Sequence, residues 1–265
     1  MNTNAVEAVS GTQARVEAVQ AFILHHLADS RTLKLPWTVV ELPRYLSLHG
    51  LMLALAVLLL TLLFRLGYNR RARVPTGLSN ALEVFVVFIR DRIAVPYLGA
   101  EDGLRMTPFF CSLFFFILAL NLIGLVPCFY TATADLSVTA ALALVSLAFM
   151  IGGGIWRLGP VGFFKSFMPH GVPWPVLVVL VPVELAGLLV KAFALTVRLF
   201  ANELAGHIVV FFMLGLLVIF GLAALPFFFM GVLIYVLEVG VAFLQAYIFT
   251  MLSAVFIGER LHPGH

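Results

Sequence analysis

Six ionisable side chains interrupt an apolar stretch of this chain between residues 175 and 258. They are Glu184, Lys191, Arg198, Glu203, His207 and Glu238. A charge at the centre of a membrane helix costs about 2.5–3.5 kcal/mol on insertion scales. Any one of these side chains could pair structurally or reach a membrane interface. All six together favour a function that needs charge inside the membrane.

Their spacing places several of them on one helix face. Glu184, Lys191 and Arg198 follow one another at intervals of seven residues, and seven steps of about 100° return to within about 20° of the starting direction. Asn202, four residues after Arg198, extends the same polar stripe.

A second polar group predicts a facing surface. Glu203 and His207 are four residues apart and lie on a neighbouring face of the same helix. On the last helix Glu238 and Gln245 are seven residues apart, and Tyr235 precedes Glu238 by three. Two polar stripes can therefore face each other across an antiparallel helix pair.

The chemistry of this set suggests a proton path with a gate. Carboxylates and imidazole exchange protons, whereas a guanidinium stays charged at any accessible pH. Arg198 would be a fixed positive charge that favours the ionised form of an approaching carboxylic acid. The sequence contains no carboxylate that moves, so the mechanism requires a partner.

Composition predicts a membrane protein. Of 265 residues, 62% are apolar and 11% are charged, against about 45–50% and about 25% in soluble domains. A soluble globule is excluded, and a net charge of +3 without a polybasic run gives no sign of nucleic-acid binding. Cys111 and Cys128 are too far apart on a helix to pair, and no signal peptide is expected at the start.

The apolar stretches predict an all-α, polytopic fold with about five transmembrane helices. The predicted spans are 46–66, 107–126, 136–156, 175–222 and 227–258. At about 1.5 Å per residue the last two would extend roughly 70 Å and 48 Å, against a hydrocarbon core of about 30 Å. They are therefore expected to tilt steeply or kink. Residues 82–93 alternate apolar and charged faces, which predicts an amphipathic helix in the membrane plane.

Basic residues predict the orientation. Arg65, Arg70, Arg71 and Arg73 follow the first span, and Arg157 and Lys165 occupy the predicted loop after the third, which places both segments in the cytoplasm. The predicted organisation is an external N-terminal segment (1–45) with an amphipathic helix at 13–27, a membrane domain (46–258) and a short cytoplasmic tail (259–265). Asp135 would lie in an external loop and cap the next helix.

The stretch 195–207 reads LTVRLFANELAGH, and 244–249 reads LQAYIF after Glu238. Together they closely resemble subunit a of the F-type rotary ATP synthases. The resemblance includes 121–127 (NLIGLVP), 133–139 (TADLSVT) and Glu184, and only about the first 45 residues lie outside it.

The resemblance implies a stator with two offset proton half-channels beside a rotating ring of c subunits, each with a carboxylate in the membrane. Arg198 matches the indispensable arginine of that family. His207 and Glu238 match the proton-relay pair of the external half-channel, in the order that resembles the mitochondrial branch. Asn202 and Gln245 match polar positions that support the arginine and line the channel.

The remaining residues have less definite roles. Glu184 matches a cytoplasmic-side acid and is a candidate exit relay, although a structural role fits it equally well. Glu203 is a candidate for a direct role in transport, and Lys191 has no assigned role. The implied partners are the c ring, b-type peripheral stalk subunits, the other subunits of the complex and the lipid bilayer. The implied location is a bacterial inner membrane.

Two other classes of protein could use the same charges. A self-contained secondary transporter is one of them, but inverted repeats are not visible. An intramembrane protease could use Glu184 and Glu238 as its acids, but would have no role for Arg198. Sequence motifs for nucleotide binding or hydrolysis are absent, so no cofactor, metal or catalytic activity of the chain itself is expected. The choice between H⁺ and Na⁺ stays open.

Overall fold

A computed structural model of the chain describes residues 48–67, 77–126, 131–165, 167–168 and 173–261, together with two short strands and a few positions before residue 48. Of the amphipathic helix predicted at 13–27, only Gln13, Val16, Glu17 and Ala21 are described, all as helical. Three arginines of the first cluster, at positions 70, 71 and 73, lie outside the described residues.

The described elements are almost entirely helical. Strands β1 (Thr32–Leu35) and β2 (Thr38–Glu41) form an antiparallel pair in which Thr32 is opposite Glu41. The helices are α1 (Leu48–Gly67), α2 (Leu78–Ile89), α3 (Val95–Leu98), α4 (Ala100–Leu125), α5 (Leu136–Lys165), α6 (Trp174–Phe220) and α7 (Leu225–Leu261). Five of them, α1 and α4 to α7, are long and apolar enough to cross a membrane. The predicted all-α, polytopic membrane fold is confirmed, with the small hairpin as an addition.

The last two long helices have close to their predicted lengths. α6 has 47 residues and α7 has 37, or about 70 Å and 55 Å of helix. Pro182 lies inside α6 without ending it. The connection between them begins at Gly221, whose φ of +61° is the left-handed conformation that commonly ends a helix. Both helices exceed the thickness of a bilayer core, so the predicted steep tilt remains the expectation.

Two segments differ from the sequence prediction. The region of Arg157 and Lys165, predicted as a loop, is helical and forms the end of α5. It is a second helical piece rather than a straight continuation, because Gly159 has φ +70° and ψ +164° and Pro160 suits the first turn of a new helix. The second difference is at the start of α4, which begins at Ala100 rather than near the predicted residue 107. Its first turn contains Glu101 and Asp102, charges that suit a helix N-terminus.

The segment predicted as an in-plane helix is a chain of short helices. α2 is followed by one π-helical turn, Arg90–Ala94, and then by α3. Ile93 and Ala94 are buried, whereas Asp91 and Arg92 are exposed. The segment is amphipathic as predicted, and it is not among the five candidate spans.

The chain divides into two compact units, and four of the long helices contribute to both. The first unit contains Met1–Ala56, Leu120–Asp135 and Phe200–Phe243. The second contains Val57–Ala119, Leu136–Leu199 and Leu244–His265. Of the six ionisable residues that the sequence singled out, Glu203, His207 and Glu238 belong to the first unit and the other three to the second.

Aromatic pairs join helices within the second unit. The rings of Phe64 and Phe115 meet edge to face with centroids 5.1 Å apart, and those of Phe109 and Phe149 stack at 3.9 Å. Gly258 of α7 allows the closest approach, because a Cβ atom there would overlap the carbonyl oxygen of Tyr97. α7 is thereby packed against the backbone at the end of α3.

The same unit supplies a partner for Lys191. Its Nζ pairs with the carboxylate of Glu259 on α7 and lies 4.9 Å from the ring centroid of Phe256. A buried or half-buried lysine in a membrane helix is tolerated when its charge is paired. The structure therefore gives Lys191 a structural role in joining α6 to α7.

Candidate functional site

Three of the residues singled out by the sequence come together in the first unit. Glu203 and His207 lie one turn apart on α6, and Glu238 lies on α7. The C-terminal end of α4 and the short segment 131–135 complete the surroundings. The result is a cluster of three groups that can hold protons. Two helices carry these groups, and two other parts of the chain surround them.

His207 is held by two oxygen atoms. Its side chain is buried, and its Nε2 lies 3.0 Å from the hydroxyl of Thr131 and 3.3 Å from Oε1 of Glu203. The Thr131 hydroxyl also lies 3.4 Å from the carbonyl oxygen of Gly124. Because both oxygens approach the same ring nitrogen, the imidazole has a fixed orientation and only one proton can lie on that side of the ring.

Glu238 lies between two cavities and has an unusual environment. Its carboxylate lines a larger cavity of about 250 Å³ and a smaller one of about 90 Å³. Both of its oxygens are shielded, and neither has a hydrogen-bond partner among the residues that the structure describes. A buried carboxylate without protein partners needs water or a proton.

Gly206 makes this position of the carboxylate possible. A Cβ atom at residue 206 would overlap Oε1 of Glu238, and would come within 3.0 Å of its Cδ. The backbone of α6 is thus directly against the Glu238 carboxylate, one residue before His207. The stretch 195–207 therefore contains a small residue that leaves room for Glu238, in addition to its ionisable groups.

The larger cavity is lined by polar groups from three helices. Asn121 of α4, Asn202 and Glu203 of α6, and Glu238 of α7 all contribute to its wall. Asn121 is completely buried, and neither atom of its amide has a hydrogen-bond partner in the described part of the chain. The rest of the wall is mostly apolar, so these few polar groups are the places where water could be held.

The smaller cavity is on the side of His207. Its wall includes Thr131, His207, Tyr235 and Glu238. The hydroxyl of Tyr235 donates to the carbonyl oxygen of Leu125 at 2.9 Å, which ties α7 to the end of α4. Glu238 is the ionisable residue common to both cavities.

The other predicted site residues belong to the second unit. Arg198 is exposed on α6, and it makes no hydrogen bond or ion pair with any other residue that the structure describes. The role of Arg198 as a charge inside the membrane stays a prediction. Gln245 is buried on α7, and Glu184 is half-buried on α6.

Two polar contacts were not anticipated from the sequence. Thr131 was not singled out, although it contacts His207 directly. Asp135, predicted to cap α5, lies with its Oδ2 3.0 Å from Nδ1 of the buried His49 on α1. The only advance signal for His49 was its position as a histidine inside an apolar span.

The family of the chain follows from its similarity to known proteins. The model of the family described as ATP synthase A chain matches residues 50–258. ATP synthase subunit a of Myxococcus xanthus (strain DK1622) is 46% identical over 225 residues, which cover 82% of this chain and 73% of the relative.

Two further relatives have the same name. ATP synthase subunit a of Anaeromyxobacter sp. (strain Fw109-5) is 41% identical over 258 residues, with 94% of this chain and 63% of the relative covered. That of Chloroherpeton thalassium (strain ATCC 35110 / GB-78) is 40% identical over 260 residues, with coverage of 91% and 77%. The predicted family is confirmed, and the chain belongs to the ATP synthase A chain family.

Proposed function

We propose that this subunit a of the Fo sector is the stator against which a ring of c subunits turns. It forms two offset proton half-channels, and Arg198 separates them. The charge of Arg198 forces each ring carboxylate to release its proton before the carboxylate passes. Proton flow is thereby coupled to ATP synthesis, while the ATP chemistry itself takes place in partner subunits.

The exposure of Arg198 carries this proposal. A guanidinium in the middle of an apolar helix cannot stably face lipid, and no described residue of the chain pairs with it. An anion from outside the chain, at the same depth in the membrane, would supply the missing partner. A membrane carboxylate on a neighbouring subunit fits this requirement, and a fixed positive charge beside it favours its ionised form.

The cluster in the first unit supports an external half-channel. His207 and Glu238 can both take up and release protons, and they line a common cavity. Asn202 lines the larger cavity, and Gln245 would add a polar side chain further along α7. Glu184 is the candidate for the cytoplasmic half-channel, since it lies fourteen residues before Arg198 on α6.

The proposed setting is a bacterial inner membrane, with the N-terminus outside and the C-terminus in the cytoplasm. Basic residues near the inner ends of the spans support this orientation. Besides the c ring, b-type peripheral stalk subunits would hold the chain stationary. A stator needs such an attachment because the ring exerts a torque on it.

A site-specific cross-linking experiment tests the ring contact. A photoreactive amino acid at Ala194, an exposed position four residues before Arg198, lies on the same helix face. In the intact complex, light is expected to attach the chain to a c subunit. Leu189 is the matched control, since it is 65% exposed but points about 180° away from Arg198.

Cross-linking from Ala194 and from Leu189 should give different products if the ring lies beside Arg198. Capture of c subunit from Ala194, and little or none from Leu189, is the expected result. Attachment to lipid alone from Ala194, or equal capture from both positions, would contradict a ring beside the Arg198 face.

Gly206→Ala provides a second test, directed at the external half-channel. The new methyl group would displace the Glu238 carboxylate, and misplacing a reacting group by about 1 Å can cost up to about a hundredfold in rate. We expect ATP-driven proton pumping to fall about tenfold or more. Thermal stability of the purified complex should change little, because a flexible side chain can move away.

The control for this variant is Gly240→Ala. Gly240 lies on α7 in the same unit, and a Cβ atom there would meet nothing within 4 Å. Its pumping rate should equal that of the wild type. If both alanine variants pump normally, the position of the Glu238 carboxylate against α6 is not needed for proton flow.

A further inference from the structure

Glu203 connects the larger cavity to His207 by direct contact. Glu203 and Glu238 line it, whereas His207 lines the smaller cavity instead. Glu203 is also within hydrogen-bond distance of His207, with Oε1 3.3 Å from Nε2. Its carboxylate therefore contacts the imidazole on one side and opens into the larger cavity on the other.

The favourable arrangement of this contact has one proton between Glu203 and His207, with the Thr131 hydroxyl 3.0 Å from Nε2 as a competing partner. A carboxylate and an unprotonated ring nitrogen would otherwise face each other with lone pairs, at 3.3 Å and in a buried site. Either Nε2 donates to the carboxylate or the acid donates to Nε2. The contact can therefore transfer a proton in either direction with little movement of heavy atoms.

The cavity beyond Glu203 is suited to water. Its volume of about 250 Å³ exceeds the roughly 30 Å³ that a water molecule occupies in the liquid. Asn121 lines this cavity too, and its buried amide has no hydrogen-bond partner among the described residues. Water held there would lie beside Glu203 and Glu238, which line the same cavity.

We propose that Glu203 is a third proton-carrying residue of this subunit, forming a second branch between His207 and Glu238 through water held by Asn121. This inference rests on the proposed proton path through His207 and Glu238. The first branch is the smaller cavity, in which those two residues share a wall directly. The second branch joins them by way of Glu203 and the larger cavity.

The transfers balance as follows. The Nε2–H bond of a doubly protonated His207 breaks and an Oε1–H bond forms on Glu203, which leaves a neutral imidazole. Glu203 then gives its proton to a cavity water, and that water gives a proton to the Glu238 carboxylate. Glu238 passes this proton on to a ring carboxylate, and reprotonation of His207 from the external side then restores the starting state, with one proton moved.

Each neighbouring group has a defined part in this scheme. His207 faces Glu203 from its own helix, and Glu238 faces the same cavity from α7. Asn121 and Thr131 contribute neutral groups from α4 and from the segment before α5. Tyr235 is separated from Glu203, since it lines only the smaller cavity of the two.

The test compares two substitutions in the intact complex. Glu203→Gln keeps the size of the side chain and can still hydrogen-bond to His207, but it cannot carry a proton. We expect a several-fold decrease in ATP-driven proton pumping at unchanged assembly, because the direct branch remains. Glu203→Asp restores the acid, and it should recover a large part of the lost rate.

A merely structural role predicts a different order. If Glu203 only orients His207, the glutamine variant should pump as well as the aspartate variant or better, since it preserves length and hydrogen bonding. That order, or wild-type pumping by Glu203→Gln, would overturn the inference.

A second variant covers failure of Glu203→Gln to assemble. Asn121→Leu removes the amide and fills the cavity, but leaves the contact between Glu203 and His207 in place. It too should slow pumping several-fold, and wild-type pumping by this variant would overturn the water branch. Arg198→Ala and Glu238→Gln, measured in the same assay, distinguish failure of the second branch from failure of the proposed function. If they lose activity and Glu203→Gln does not, only the second branch fails; if none changes, the proposed function fails.

Discussion

Replacing Arg198 with alanine should abolish ATP-driven proton pumping in inverted membrane vesicles while the complex still assembles. The side chain is exposed and makes no hydrogen bond or ion pair with a described residue that its removal would break. Its loss should therefore leave the fold of the chain intact. What disappears is the fixed charge that separates the two half-channels, so protons could leak past the ring without turning it.

Lysine at the same position should not restore coupling. An ammonium group in low dielectric can lose its proton, and it lacks the planar fork of the guanidinium. Arg198→Lys is therefore expected to pump far less than the wild type. Arg105→Ala is the matched control, because Arg105 is also exposed but pairs with Glu101 near Trp156, and it should pump normally. Wild-type pumping by Arg198→Ala would remove the central element of the proposed mechanism.

The membrane helices could be predicted because a bilayer imposes strong rules on composition. Spans predicted at 175–222 and 227–258 correspond to helices Trp174–Phe220 and Leu225–Leu261. In lipid, every backbone N–H and C=O group must be hydrogen-bonded within the protein, so an apolar stretch of this length is expected to form a helix. The errors fall where polar residues weaken that rule, at the start of α4 and after Gly159 in α5.

The ionisable residues could be found for the same reason, since charges in apolar helices stand out. The contacts that these residues make could not be predicted from the sequence. The hydroxyl of Thr131 meets His207 across 76 residues of sequence, and nothing in the local pattern around Thr131 indicates that contact. The fit of Glu238 against Gly206 depends on how α6 and α7 pack, which helical periodicity does not determine.

Lys191 shows that the spacing of residues along one helix does not reveal their partners on another. It shares the predicted stripe with Glu184 and Arg198, which suggested a common function for all three. In the structure its charge pairs with Glu259, a residue near the end of a different helix. Spacing along α6 predicts that these residues share a face, but only the packing of α7 shows that the charge of Lys191 is paired.

Glu238→Gln should slow ATP-driven proton pumping strongly, by about a hundredfold if the relay contributes as much as a typical acid–base group. Glutamine preserves the volume of the side chain and can hydrogen-bond to water in both cavities, but it cannot take up a proton. Because the carboxylate has no hydrogen-bond partner among the described residues, the substitution leaves no protein group newly unpaired. Assembly should therefore be normal, and the loss of rate would report proton transfer.

Two companion variants make the result interpretable. Glu238→Asp keeps an acid but withdraws it by one methylene group, so it should retain part of the activity. Glu101→Gln removes a carboxylate that is 85% exposed at the start of α4, and it should pump like the wild type. An intermediate rate for the aspartate variant would show that both the acid and its position between the two cavities matter. Full activity of Glu238→Gln would mean that protons reach the ring by a path that bypasses Glu238, and the external half-channel would have to be sought elsewhere on the chain.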